Sequence, residues 1–300
     1  MVNTLTPSIH WPRGRGHGRS VPFGVGRHLS SLLLALLLQP LAGAVLAAET
    51  WNQGVYIWNS KALLDPGRLD GELDRLQQAG LRELMLGLTG AQVRAGELTR
   101  RRLRLVLKRA HARGQTVLLL LGDPAWITAA SRSELLDLIR LYRDLPFDGV
   151  HLDLEVEQLG WPVPPQRLRE WLLTLEAVRQ ASPWPVSFSS HPRWFEGLRS
   201  GSPCVPCALN ANQRVSLMIY QRNPQTSAAR ISAIARRWPL LRFRLAQSVE
   251  PGLEPGLSWS GASASQLRDQ VAVWRRTLLP LGIGGIDWQD WSSFPRGAQP

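Results

Sequence analysis

Beyond residue 50 the apolar positions fall into two alternating periods. Short apolar runs at Val55 to Trp58, Leu84 to Leu88 and Thr116 to Leu121 read as strands. The stretches between them repeat their apolar residues three and four positions apart, the spacing of a helix with one buried face. Asp65-Pro66 opens the first of these, with Pro at the first helical position, Leu69, Leu73 and Leu76 on one side and Gly80 as its stop. Glu97 to Arg113 predicts a second helix with a basic outer face carrying Arg101, Arg104 and Lys108. Ser131 and Glu134 have the spacing of a capping box for a third, running to Tyr142. The rhythm continues with a strand through residues 147–155, a helix from Pro165, and a strand over Pro185 to Ser189. Then come a strand over Val215 to Tyr220, a helix from Ser227 to Trp238, and a strand over Leu241 to Ala246. A helix from Gln266 to Leu279 and a strand over Ile283 to Trp288 close the series.

Eight strands alternating with helices, at a spacing of roughly thirty residues, match successive βα units. Alternation of this kind implies parallel strands, and the length from Trp51 to Phe294 suits the ~250 residues of a (β/α)₈ barrel. An open doubly wound sheet is the alternative, but no strand is followed by a glycine-rich phosphate loop. The expected class is therefore α/β, a single TIM barrel over 48–294, with a frayed tail over 295–300. No linker-like stretch divides the body.

Residues 1–47 read as a signal peptide. Arg13, Arg15, Arg19 and Arg27 form a basic region, Leu29 to Leu38 an apolar one, and Val45-Leu46-Ala47 a cleavage site of small residues. The expectation is an exported protein, periplasmic or secreted, that meets the membrane only through this segment; an uncleaved anchor is the rival. Loss of the segment takes four Arg and no acid, lowering the formal charge from +12 to +8. Only Lys61 and Lys108 are lysines, and the arginines are scattered, so the charge does not point to nucleic acid. It leaves room for a preference for anionic glycans or the cell envelope. The two cysteines, in Cys204-Val-Pro-Cys207, sit in a Gly/Ser/Pro/Asn-rich loop and suggest a small disulfide in an exported chain. No metal site is expected there, because no further ligands lie nearby. No cofactor is implied, and the chain is expected to be a monomer.

Composition says little about chemistry; the fourth strand says more. In Phe147-Asp148-Gly149-Val150-His151-Leu152-Asp153-Leu154-Glu155 the apolar residues point one way and His151, Asp153 and Glu155 the other. Burying three ionisable groups on one strand face is costly unless they are paired or used. Two carboxylates two residues apart on one face repel, so one is held protonated near neutral pH. In parallel barrels the active site lies at the C-terminal strand ends. Those ends carry Asp123 after strand three, His191 and Trp194 after strand five, Tyr220 and Gln221 after strand six, Gln247 and Glu250 after strand seven, and Asp287, Trp288, Asp290 and Trp291 around strand eight. Carboxylates interleaved with tryptophans fit sugar chemistry. Among the remaining tryptophans, Trp126 and Trp161 lie in loops and are candidate sugar platforms with Trp194 and Trp291, whereas Trp171, Trp238 and Trp274 lie on helices and are expected to pack.

Here a family resemblance enters. Asp148-Gly-Val-His151-Leu-Asp153-Leu-Glu155 resembles the Asp-Gly-x-Asp-x-Asp-x-Glu signature on strand four of the family 18 glycoside hydrolases, the chitinase-like enzymes. Met218-Ile-Tyr220-Gln221 is similar to their strand-six Met-x-Tyr-Asp/Asn motif. Gly284-Gly285-Ile-Asp287-Trp288 resembles their strand-eight segment, and Val117 to Gly122 their apolar third strand ending in Gly. The resemblance implies Glu155 as general acid, Asp153 as the residue that orients the substrate's 2-acetamido group, Tyr220 as a donor to that group, and Trp288 as the floor of the sugar pocket. His151, Gln221, Asp287 and Asp123 would complete the substrate-binding set. In that scheme the substrate's own carbonyl is the nucleophile.

His151 stands where the family has Asp, and Gln221 where it has Asp or Asn. A cationic His151 beside Asp153 would lower the carboxyl pKa, and a two-carboxylate mechanism with Asp287 or Glu250 as the partner of Glu155 is the variant. The expected function is cleavage of glycosidic bonds in a polysaccharide, with N-acetylhexosamine a candidate unit. The rivals are a glycan-binding barrel without catalysis, lectin-like in role, and an amidase on the same fold acting on peptidoglycan.

Overall fold

The computed structural model describes residues 50–198 and 200–295. The expected signal segment over 1–47 lies outside them, as does the tail from residue 296. The described residues form a closed barrel of eight parallel strands in the order β1 to β8. The strands are β1 (Asn52–Ile57), β2 (Glu83–Gly87), β3 (Thr116–Leu121), β4 (Gly149–Leu152), β5 (Val186–Ser190), β6 (Arg214–Met218), β7 (Arg242–Ser248) and β8 (Gly285–Gln289). Each pairs with its neighbour in sequence, and β1 closes on β8 with Asn52 opposite Gly285 and Val55 opposite Trp288. The helices are α1 (Leu69–Gln78), α2 (Gly90–Arg94), α3 (Glu97–His111), α4 (Arg132–Tyr142), α5 (Pro165–Ala181), α6 (Arg193–Glu196), α7 (Pro224–Arg237) and α8 (Ala264–Leu278). Among the described residues no helix is long and apolar enough to cross a membrane.

The element boundaries shift from expectation where local hydrogen bonds decide them. Asp65-Pro66 does not open α1: the Asp65 carboxylate accepts the Gly67 N–H at 2.9 Å in a turn, and the helix starts at Leu69. The Ser131 side chain caps nothing, and Glu134 bonds instead through its backbone N–H to the Ser131 carbonyl. The capping boxes that do form are Thr89 with Gln92 at α2 and Ser263 with Gln266 at α8. Asn223 caps α7 by accepting the Thr226 N–H at 2.9 Å, so that helix begins at Pro224 rather than Ser227. Cys204 and Cys207 form a disulfide in the loop before β6.

Strand alternation divides the side chains into two cores. Val55, Leu84, Val117, Val150, Phe188, Leu217, Leu245 and Ile286 face outward and are buried under the helices in one continuous apolar shell. Inside the barrel, the apolar packing comes from Tyr56, Met85, Leu118 and Leu120, with Trp58 above them. The rest of the interior is polar and charged. Arg214 on β6 reaches across the ring to Glu83 on β2, with both N–H···O distances 2.8 Å. Arg244 on β7 donates to Asp287 on β8 at 2.7 Å, and Ser216 donates to the same carboxylate at 2.6 Å. The Arg244 pair is almost wholly buried. Arg214 with Glu83, and Arg244 with Asp287, thus meet as opposite partners, the condition under which a barrel can hold ions in its interior. Gly54 sits beside this pair because a β-carbon there would overlap the Asp287 carboxylate.

Candidate active site

β4 is only four residues long, but the chain continues extended past it and carries its alternation to the rim. His151 projects into the barrel and is fully buried. Its Nδ1 lies 2.9 Å from the Ser187 hydroxyl, and its Nε2 lies 2.9 Å from that of Ser189 and 3.1 Å from that of Tyr56. Burial lowers its pKa to about 3, helped by Arg214 and Arg244 against the pull of Asp287. His151 is thus a neutral imidazole inside a hydroxyl cage, not a cation beside Asp153 and not a side chain that a ligand touches.

Asp153 lies one step nearer the mouth. It is 8% exposed, and its Oδ1 is buried with no hydrogen-bond partner. Burial raises its pKa to about 7; the charges of Glu155 and Glu250 push the same way, and a hydrogen bond from Ser189 opposes them. Glu155 follows, half-buried, and accepts from Gln158 Nε2 at 2.6 Å. No cation pairs with it among the described residues. Its pKa is raised, first by burial and then by Glu157 and Glu250, against the Gln158 hydrogen bond. Tyr220, just beyond β6, feels the same carboxyls: burial first, then Asp153, Glu155 and Glu250, holds its phenol well above the usual range. Glu250, beyond β7, is raised by burial and by Asp290, with Ser248 opposing. The barrel thus gathers Asp153, Glu155, Tyr220 and Glu250 within one another's field at the C-terminal strand ends, each biased toward its protonated form.

An aromatic completes this rim. Trp58, immediately after β1, is half-buried and stacks on Tyr56 with ring centroids 6.5 Å apart. It rests over Gly87 and Gly122 at the ends of β2 and β3; a β-carbon at Gly122 would overlap its indole. The same β-carbon would lie 3.4 Å from the Asp153 carbonyl oxygen, which sets the indole beside the β4 rim. The signal was in the sequence: in the strand Val55 to Trp58, Trp58 shares the parity of Tyr56, which faces inward.

Two expected substrate contacts, Trp288 and Asp287, fall elsewhere. Trp288 does not floor a pocket: parity puts it outside the barrel, fully buried against Trp274 and Phe294, with its Nε1 donating to Gln53 at 3.2 Å. Asp287 is fully buried; although burial opposes ionisation, Arg244, Ser216 and Arg214 outweigh it and hold the pKa low. It serves neither as a substrate contact nor as a catalytic partner for Glu155. The Asp123 carboxylate caps the turn over Pro124–Ile127 by accepting the Ala125 N–H at 2.9 Å. Gln221 is half-buried directly after Tyr220. Of the loop tryptophans, Trp126 is half-buried against the outer core and Trp291 donates to Glu72, while Trp161 is 55% exposed and Trp194 is buried.

No family model matches the chain, and no curated protein matches it at significant similarity. Solved structures match its fold. A GH18 chitinase from Pseudoalteromonas aurantia superposes with a TM-score of 0.52 at 14% identity, covering 82% of this chain and 94% of that one. A chitinase from Bacteroides thetaiotaomicron gives 0.52 at 15% identity, covering 82% and 91%. A D-psicose 3-epimerase from Clostridium cellulolyticum H10 gives 0.51 at 11%, covering 80% and 85%. The shared feature is the barrel. At such identities the fold alone is established, and barrels of one fold carry unrelated chemistries, so function has to be argued from the rim.

Proposed function

We propose that this protein hydrolyses glycosidic bonds of a polysaccharide, with Glu155 as the general acid. The observation that carries the reading is a half-buried, cation-free carboxyl with a raised pKa, set beside a second carboxyl, Asp153, that has an unpartnered oxygen. A carboxyl pKa raised toward the working pH is what protonation of a leaving glycosidic oxygen requires. The strand-four resemblance to family 18 glycoside hydrolases supports this reading, and chitinases share the barrel.

Asp153 and Tyr220 fit the remaining tasks. A protonated Asp153 donates to, and so orients, a neutral amide carbonyl, and the Tyr220 phenol adds a second donor. This favours a sugar bearing a 2-acetamido group, whose carbonyl then attacks the anomeric carbon while Glu155 protonates the departing oxygen. The replacement of the family's Asp by His151 does not oppose the scheme, because a neutral imidazole leaves the Asp153 pKa high. Trp58 takes the stacking role that the resemblance gave to Trp288. The N-terminal segment supports export, which would place the enzyme where polysaccharide is met.

The test is Glu155→Gln against wild type on a panel of glycans, scored by reducing-end release. Loss of a general acid lowers the rate by about 10²- to 10⁴-fold while binding persists. If wild type binds glycan and releases no sugar, the barrel is a glycan-binding module and Glu155 is not an acid catalyst.

A further inference from the structure

Of the twelve tryptophans among the described residues only Trp161 is exposed, at 55%. It lies in the loop between β4 and α5, on the same barrel face as Glu155. The Arg193 guanidinium, from the loop after β5, sits 4.4 Å over its ring. Arg193 is held there by His191: its Nε donates to His191 Nδ1 at 2.9 Å, its backbone N–H donates to the same atom at 3.1 Å, and its Nη2 lies 3.1 Å from His191 Nε2. No carboxylate pairs with it among the described residues, and its Nη1 makes no hydrogen bond there. The neighbouring Trp194 donates to Glu157 Oε1 at 2.8 Å. That bond ties the patch to the strand-four loop two residues beyond the candidate acid, within about 7 Å of chain.

The exposed indole carries on its face an oriented guanidinium that feels the Glu196 charge but makes no direct ion pair with a carboxylate among the described residues. The indole offers an apolar surface to a sugar ring, and the guanidinium offers charge-assisted hydrogen bonds to an anion. We propose that Trp161 and Arg193 form a subsite for a carboxylate-bearing sugar unit of the polysaccharide, beside the cleavage point. The net charge, +12 for the whole chain and +8 without the expected signal segment, draws an anionic polymer to the surface in the same sense. The subsite rests on the polysaccharide reading above but not on Glu155 being catalytic.

The probes are glucuronate-containing oligosaccharides and the same oligosaccharides after carboxyl reduction, with binding measured in the Glu155→Gln background so that cleavage does not interfere. The acidic form binds about tenfold tighter than the reduced form, and Arg193→Gln brings that ratio close to one. Trp161→Ala weakens both forms, and Arg275→Gln, an equal charge loss on the exposed face of α8, keeps the full ratio. An unchanged ratio in Arg193→Gln, no acid preference in the Glu155→Gln parent, or no binding of either form overturns the subsite. No sugar release by the wild type, with the Arg193-dependent ratio intact, would instead remove the hydrolase and leave the subsite standing.

Discussion

Asp153 offers the sharpest test of the rim's electrostatics, because its burial makes a thermodynamic demand. Its pKa rises from an ordinary 3.8 to about 7 on folding. A carboxyl with a raised folded-state pKa favours the native state when protonated. Its stabilising share is therefore whole below pH 4 and is lost as pH climbs toward 7. Three pKa units at about 1.4 kcal/mol each give a loss of about 4 kcal/mol, a large fraction of the 5–15 kcal/mol that holds a typical domain folded. Asp153→Asn keeps the shape and removes the titration. Urea or guanidinium unfolding at half-unit steps from pH 4 to 7.5, followed by tryptophan fluorescence, gives wild-type and variant stabilities under identical conditions. Their difference cancels the groups that Asp153 does not touch and leaves, apart from a constant offset, the titration of Asp153 with its coupling to Glu155 and Glu250. The variant gains on wild type by about 3 kcal/mol between pH 4 and 7, with a slope of about 1.4 kcal/mol per unit through the middle of that range. Parallel curves would refute the claim that burial with one oxygen unpartnered raises this carboxyl's pKa, and with it the proton inventory assigned to the rim.

The mirror experiment uses His151, whose folded-state pKa falls from 6.5 to about 3. Its contribution is present above pH 6.5 and lost as pH falls, so His151→Asn gains on wild type toward acid, opposite in sign to Asp153→Asn, after a constant cost for the broken bonds to Tyr56, Ser187 and Ser189. Arg244→Met strands the fully buried Asp287 carboxylate and costs about 3–5 kcal/mol in chemical denaturation; a loss under 1 kcal/mol would mean that water reaches the barrel floor. Gly122→Ala overpacks the Trp58 seat, costing about 1–3 kcal/mol and weakening glycan binding. A variant with wild-type binding would separate Trp58 from the site.

The sequence by itself determined the barrel. Eight apolar runs at βα spacing leave few other ways to bury both faces of each strand, and the period of two along β4 sets His151, Asp153 and Glu155 on the inner side before any contact is known. The same parity already separates Trp288 from Asp287, since adjacent strand residues cannot both face the lumen. Caps were less legible: Ser131 and Ser263 each precede a Glu or Gln at the right spacing, yet only Ser263 turns its hydroxyl onto the helix. What tertiary structure alone decided is how far along the barrel axis each inward residue sits and what stands across from it. Asp287 and Asp153 both point inward, but one meets Arg244 and Ser216 at the floor and stays ionised, while the other reaches the rim with an unmatched oxygen and keeps a proton. That difference arises from residues on β5, β6 and β7, distant in sequence and brought opposite only when the ring closes.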